Sequence, residues 1–133
     1  MRLAEFKELK MKKDGRVNSK KPVMDGIQFG SGKEAMIYQE FKLDPEIKIL
    51  DFHPQYQLTP GFKRYGKKYQ AMKYTADFLI ERAGKPVVVE VKSKGTAKMT
   101  DYQMRKKMFL LQNPTLRFWE IIFDREIRTE KIY

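Results

Sequence analysis

Asp77, Glu90 and Lys92 are the residues of this sequence whose types and spacing suit chemistry. Glu90-Val91-Lys92 is an acid–x–base triplet in a dense β-branched stretch, and Asp77 stands thirteen residues upstream of Glu90. Side chains alternate along a strand, so Glu90 and Lys92 share one face, and Asp77 shares another strand's face with Thr75 and Leu79. If Ala83-Gly84 is a two-residue loop, Arg82 pairs with Lys85, and counting back sets Asp77 opposite Glu90 and Thr75 opposite Lys92. Opposed side chains have Cβ atoms about 4.5–5.5 Å apart, and two carboxylates held that way repel. A divalent cation turns the repulsion into a site, and magnesium takes one or two carboxylates together with water and phosphate oxygens. Lys92 adds a cation for a phosphate or for an attacking water. A three-residue loop would instead shift the register by one and set Val91 against Asp77. The plain alternative is a solvated face on which acid and base alternate.

These residues need two adjacent strands. Residues 73–81 alternate, with Tyr74, Ala76, Phe78 and Ile80 on one face. Residues 87–92 read as a strand buried on both faces. The short connection predicts an antiparallel hairpin. Upstream, Ser31-Gly32-Lys33-Glu34 fits a capping box that opens a helix with Met36, Ile37, Phe41 and Leu43 as its apolar stripe, ended by Pro45. Strands follow around Ile47–Phe52 and Tyr56-Gln57-Leu58. Residues 61–73 read as a basic, aromatic-bearing loop or edge strand. A second helix begins at the cap Thr100-Asp101-Tyr102-Gln103, with Met104, Met108 and Leu111 as its core stripe. A strand over 116–123 carries Trp119, and the charged tail 124–133 adds a short strand. This order predicts an α/β fold with a mixed central sheet flanked by helices.

Composition narrows the partners. A chain of 133 residues makes one ordinary domain, and 41% apolar residues suffice for a core. There is no cysteine, and a lone histidine, His53, does not make a zinc site, so a metal here would be a hard ion held by oxygen. No apolar run is long enough to span a bilayer, and Met1-Arg2-Leu3-Ala4-Glu5-Phe6 is too charged for a signal peptide, so the sequence reads as cytoplasmic. Twenty-eight Lys and Arg against seventeen acids give a net charge of +11, which suggests a polyanion partner. Residues 1–26 read as a basic arm ordered on DNA or a partner subunit, or equally as a solvated tail, ahead of a domain over 27–133. Lys63, Arg64, Lys67 and Lys68 beside Tyr65 and Tyr69 suit phosphate contact and base stacking, or a solvated loop.

Asp77 followed by Glu90-Val91-Lys92 resembles the PD-(D/E)XK motif of the restriction-endonuclease-like nucleases. More closely, the chain resembles a small phage-encoded family long catalogued as a domain of unknown function. That resemblance runs from about residue 20 to 120. It rests on Asp25-Gly26-Ile27-Gln28-Phe29, Ser31, Lys33, Glu34, Ala35, His53-Pro54, Leu58, Tyr74-Thr75-Ala76-Asp77-Phe78, Val89-Glu90-Val91-Lys92 and the basic helix around Arg105-Lys106-Lys107. Ala76 stands where the motif has proline, His53 where glutamine is expected, and Ser93 where glycine is usual.

The resemblance implies a restriction-endonuclease-like core and a magnesium-dependent endodeoxyribonuclease, with manganese as substitute. Asp77, Glu90 and Lys92 would be catalytic, with Glu34 as a helix-borne acid. The metal would sit on Asp77, Glu90, Glu34 and the Val91 carbonyl. Lys94, Arg105 and Lys106 join the four cations of 63–68 as expected DNA contacts. The expected substrate is branched DNA such as a Holliday junction, in phage recombination or replication in the host cytoplasm. Cutting both strands of a junction calls for a homodimer. Glu34 is also explained fully by its capping box. The competing functions are a non-catalytic nucleic-acid-binding module of the same fold and an RNA-handling basic protein.

Overall fold

The computed structural model describes residues 21–133. Most of the expected basic arm, residues 1–20, lies outside the described residues. The chain divides between Pro45 and Glu46 into two compact units. No helix among the described residues is long and apolar enough to cross a membrane.

In the first unit, Val23–Met24 (β1) pairs antiparallel with Ile27–Gln28 (β2). The arm boundary drawn at residue 26 therefore runs through a formed ladder. Asp25 and Gly26 turn it with φ of 51° and 79°, the left-handed pair that a tight hairpin requires. Asp25 then accepts from Tyr38 Oη at 2.6 Å and pairs with Lys42 Nζ at 2.5 Å. The Lys42 ammonium, with the Tyr38 hydroxyl, holds the Asp25 carboxyl well below the usual carboxylate range. Both partners lie on helix α1, Gly32–Leu43, which starts on the Ser31 cap as the sequence predicts. Its buried face is Glu34, Ala35, Ile37, Tyr38 and Phe41. Leu43, expected in the stripe, is exposed.

The second unit is built on a five-stranded mixed sheet. Its strands are Ile47–Phe52 (β3), Phe78–Arg82 (β8), Lys85–Ser93 (β9), Arg117–Asp124 (β10) and Ile127–Ile132 (β11), in the order β11-β10-β9-β8-β3. Only β9 and β10 run parallel. Their crossover carries the short helix α2, Lys94–Ala97, and helix α3, Thr100–Gln112. The tail beyond residue 124, expected to add a short strand, supplies the six-residue β11. Mixed α/β architecture is thus as the sequence predicts.

Residues 73–81 do not make one strand. They split into Met72–Thr75 (β7) and β8, with Ala76 and Asp77 at a bend between them. β7 leaves the sheet to pair with Gln55–Thr59 (β4), so Thr75 faces Gln55 rather than Lys92. Beyond that ladder, Phe62–Arg64 (β5) pairs with Lys67–Tyr69 (β6). Residues 55–75 therefore form an arm of two successive two-stranded ladders. Its base packs on α3, where Phe109 meets Tyr56 and Tyr74 with ring centroids 4.8 and 5.3 Å away.

Two expectations for α3 fail. Its N-cap is Met99, with no side-chain cap bond, and Gln103 donates instead to the Ala97 carbonyl. Its buried face is Tyr102, Lys106 and Phe109, while Met104 and Leu111 (80% exposed) face out. Both triads have i, i+4, i+7 spacing. The aromatic set wins because Tyr102 and Phe109 join the core of Leu58, Tyr74, Ala76, Val88 and Phe118.

The β8–β9 turn is Ala83-Gly84, flanked by the Arg82–Lys85 pair. Its φ values are 51° and 80°, and alanine is a poor occupant of the first position. Ala83→Asn makes the favoured Asn-Gly turn and should raise stability by about 0.5–1 kcal/mol, read as a higher denaturant midpoint at unchanged slope.

Candidate functional site

The two-residue turn fixes the register that the sequence count assumed. Phe78 and Val89 are the last pair of the β8–β9 ladder, and Asp77 stands one residue beyond it, next to Glu90. In an unbroken ladder the Val91 amide would bond to the chain at Ala76. Here the chain turns away from β9, with the Ala76 amide donating to the Pro54 carbonyl. The Asp77 carboxylate takes the vacated role and accepts from Val91 N at 2.6 Å. The Asp77 amide meanwhile donates to the Val89 carbonyl at 3.1 Å. One carboxylate oxygen of Asp77 is thus spent on the backbone, and the side chain is held at the end of the hairpin.

Glu90 is 2% exposed. Its Oε1 accepts from Tyr74 Oη, and its Oε2 lies 3.7 Å from Lys92 Nζ. Burial pushes the Glu90 carboxyl well above the usual range, and the Asp77 charge pushes it further. Lys92 only partly offsets this. The Asp77 and Glu90 carboxyls are within hydrogen-bond reach of each other. Burial, and then Glu90, raise the Tyr74 phenol far above its ordinary value, so Tyr74 acts as a donor. Lys92 Nζ sits 4.6 Å above the Tyr102 ring centroid, a cation–π contact that steadies the ammonium without neutralising it.

His53, which the sequence singles out only through the family resemblance, belongs beside this group. β3–β8 pairing carries past Phe52 and Phe78 through a bond from His53 N to the Asp77 carbonyl. His53 has a φ of 52° at this bend. Ligand atoms of His53 and Asp77 lie within 4.8 Å of each other. Only the strand register could have shown this, because no spacing rule links the two residues.

A second acid sits next door. Glu120 on β10 is in register with Glu90 on β9, and it is also buried. Tyr102 Oη and Tyr133 Oη donate to it, and Lys106 Nζ lies 3.0 Å away. Burial works against its charge, but these three hydrogen bonds outweigh burial and hold its pKa below the ordinary value. Lys106, expected on the DNA-facing surface, is therefore a buried partner of Glu120, 8% exposed. A lysine on a sequence of basic helix residues looks solvated until its strand partner is known.

Other expected residues fall as follows. Glu34 lies in the first unit on α1, buried, and accepts from the Gly30 amide at 3.3 Å while its own amide donates to Ser31 Oγ. Lys63, Arg64, Lys67 and Lys68 line the exposed β5–β6 hairpin. Lys94 pairs with Asp124 at 3.4 Å. Arg105 donates one guanidinium N–H to the Lys73 carbonyl at 2.5 Å. The amide of Val91 is held by Asp77.

Fold and site together define a mixed α/β protein with a buried glutamate, a half-buried aspartate and a lysine at one hairpin's end. The chain belongs to the family described as "Protein of unknown function (DUF1064)", which matches residues 14–129. No functionally curated protein matches it. Among solved structures it is similar to the crystal structure of SSO0001, at 15% identity and a TM-score of 0.48, covering 75% of this chain and 48% of that one. The chain thus spans about half the length of that protein.

The two glutamates should respond oppositely. An acid with a higher pKa folded than unfolded binds more protons when folded, so rising pH above the ordinary glutamate range removes stability. In chelator, Glu90→Gln should therefore melt higher than the parent at pH 8, by more than about 1 kcal/mol, and by less at pH 5. A constant difference across that range would refute the buried-acid account. Lys106→Ala should cost about 3 kcal/mol in chemical denaturation, because it strands the Glu120 charge.

Proposed function

We propose that this protein is a magnesium-dependent endodeoxyribonuclease of the PD-(D/E)XK type, with a restriction-endonuclease-like core. One observation carries the reading: the Asp77 and Glu90 carboxyls interact at the end of the β8–β9 hairpin, with Lys92 Nζ 3.7 Å from Glu90. A buried acid in contact with a second acid is a liability for a structural protein. The donor set suits a hard cation, because Glu90 is a buried acid lacking enough positive charge to ionise easily. Asp77, Glu90 and the Val91 carbonyl would hold the ion, and the family resemblance adds Glu34 as a helix-borne acid. When bound, the ion would supply an activated water and neutralise charge on phosphoryl oxygens.

The chain's own groups do the rest. Asp77 is fixed by the Val91 amide, so its free oxygen points from a rigid element. Tyr74 orients Glu90. Lys92, steadied over Tyr102, offers its ammonium to the scissile phosphate as charge develops there. The net charge of +11 favours a polyanionic substrate. Branched DNA, a homodimer and a role in phage recombination in the host cytoplasm complete the proposal on the family resemblance.

The test is a panel of labelled branched, flapped, single-stranded and duplex DNAs with magnesium or manganese. Cleavage of at least one is expected. Asp77→Asn keeps an oxygen for the Val91 amide, and with Lys92→Ala it should lower cleavage on the order of 1000-fold. Undiminished cleavage in both variants would sink the assignment. Salt-sensitive binding with no product at any metal concentration would replace it with a non-catalytic binding module.

A further inference from the structure

The β5–β6 hairpin has no internal reason to be built as it is. An isolated two-stranded ladder is marginal in water. This one sets Lys63 opposite Lys68 and Arg64 opposite Lys67, and like charges directly opposed in a sheet are destabilising. No acid occurs between residues 61 and 71 to offset them. Two successive cation pairs therefore stand on a hairpin that lies outside the main sheet.

The tip is odder still. Tyr65 and Gly66 form its turn with φ of 50° and 76°. Glycine, asparagine and aspartate are the ordinary residues at such positions, and a bulky ring there is strained. Tyr65 is 96% exposed, so burial returns nothing for that strain. Arg64 lies 5.7 Å from its ring centroid. Behind it, Phe62 and Tyr69 stack against each other at 4.8 Å and 9°, which stiffens the hairpin below the tip. The arm's base is fixed to α3 through Phe109 and through Gln112, which donates to the Leu58 carbonyl. A strained, exposed aromatic on a stiff, cationic, anchored arm calls for a ligand with both phosphates and a free π-face.

We propose that this hairpin binds DNA at a break in base stacking. Tyr65 stacks on the exposed base, and Lys63, Arg64, Lys67 and Lys68 take the phosphates beside it. A continuous duplex covers its base faces with neighbouring bases, so only a gap, branch or single-stranded stretch presents one. The inference rests on the reading above that DNA is the partner, and it assigns the feature by which structured DNA is chosen.

Binding is measured by anisotropy in chelator, where no hydrolysis can occur, with a labelled duplex and the same duplex carrying a short gap. The parent should prefer the gapped DNA. Tyr65→Asn suits the left-handed turn and leaves the hairpin formed. It should weaken gapped DNA about tenfold and intact duplex less than about twofold. Tyr65→Trp should keep the preference. Lys63→Ala with Lys68→Ala should weaken both DNAs alike and flatten the logarithmic salt dependence by about 2. The proposal is overturned if the parent shows no preference, if Tyr65→Asn affects both DNAs equally or neither, or if Tyr65→Trp fails as badly. These results separate it from the nuclease reading. Expected Tyr65 behaviour without product on any DNA removes the nuclease alone, and cleavage with indifferent Tyr65 binding removes this inference alone.

Discussion

The structure turns on two carboxylates that a fixed strand register forces together. The turn at Ala83-Gly84 sets the count as far as Phe78 and Val89, and Asp77 follows beside Glu90. Coulomb repulsion at such a distance is weak in water and strong in a low-dielectric interior. Everything nearby manages that conflict. Asp77 diverts one oxygen to the Val91 amide, Tyr74 donates to Glu90, and Lys92 stands alongside. The strand that carries Tyr74 leaves the sheet at Asp77, which opens the hairpin's end instead of covering it with another pair of residues.

Glu90 and Glu120 form an internal control on what burial alone does. They occupy neighbouring strands at one register and are equally hidden. Glu120 receives two phenols and an ammonium, and its charged form is favoured. Glu90 receives one phenol, a more distant ammonium and a second acid, and its neutral form is favoured. A carboxylate with its hydrogen bonds filled is a structural element. One left short of positive charge has capacity for a ligand. Tyr102 joins the two sites, with its hydroxyl on Glu120 and its ring under Lys92.

Local signals were readable wherever one periodicity or one cap decided the outcome. The β8–β9 register followed from alternation and a two-residue loop, and α1 began at its Ser31 cap. The break at Ala76-Asp77 was hidden because residues 73–81 alternate without interruption, and only the pairing of β7 with β4 diverts the chain. On α3 two faces shared the same spacing, and the one that is buried contains a lysine. Hydrophobic counting cannot choose that face, since the reason for it is Glu120, a residue fourteen positions away. His53 was named only by resemblance, because its place opposite Asp77 depends on a ladder that runs through a bend.

The parallel pairing of β9 with β10 also divides the sheet into local and distant contacts. Partners across β8–β9 are at most eleven residues apart in sequence, whereas partners across β9–β10 are thirty apart. Closing the longer loop costs more entropy, and non-local pairings form slowly. The pairing that brings Asp77 up to Glu90 is thus the local, entropically cheaper one, whereas the Tyr102 and Phe109 that close over the core belong to the costlier crossover.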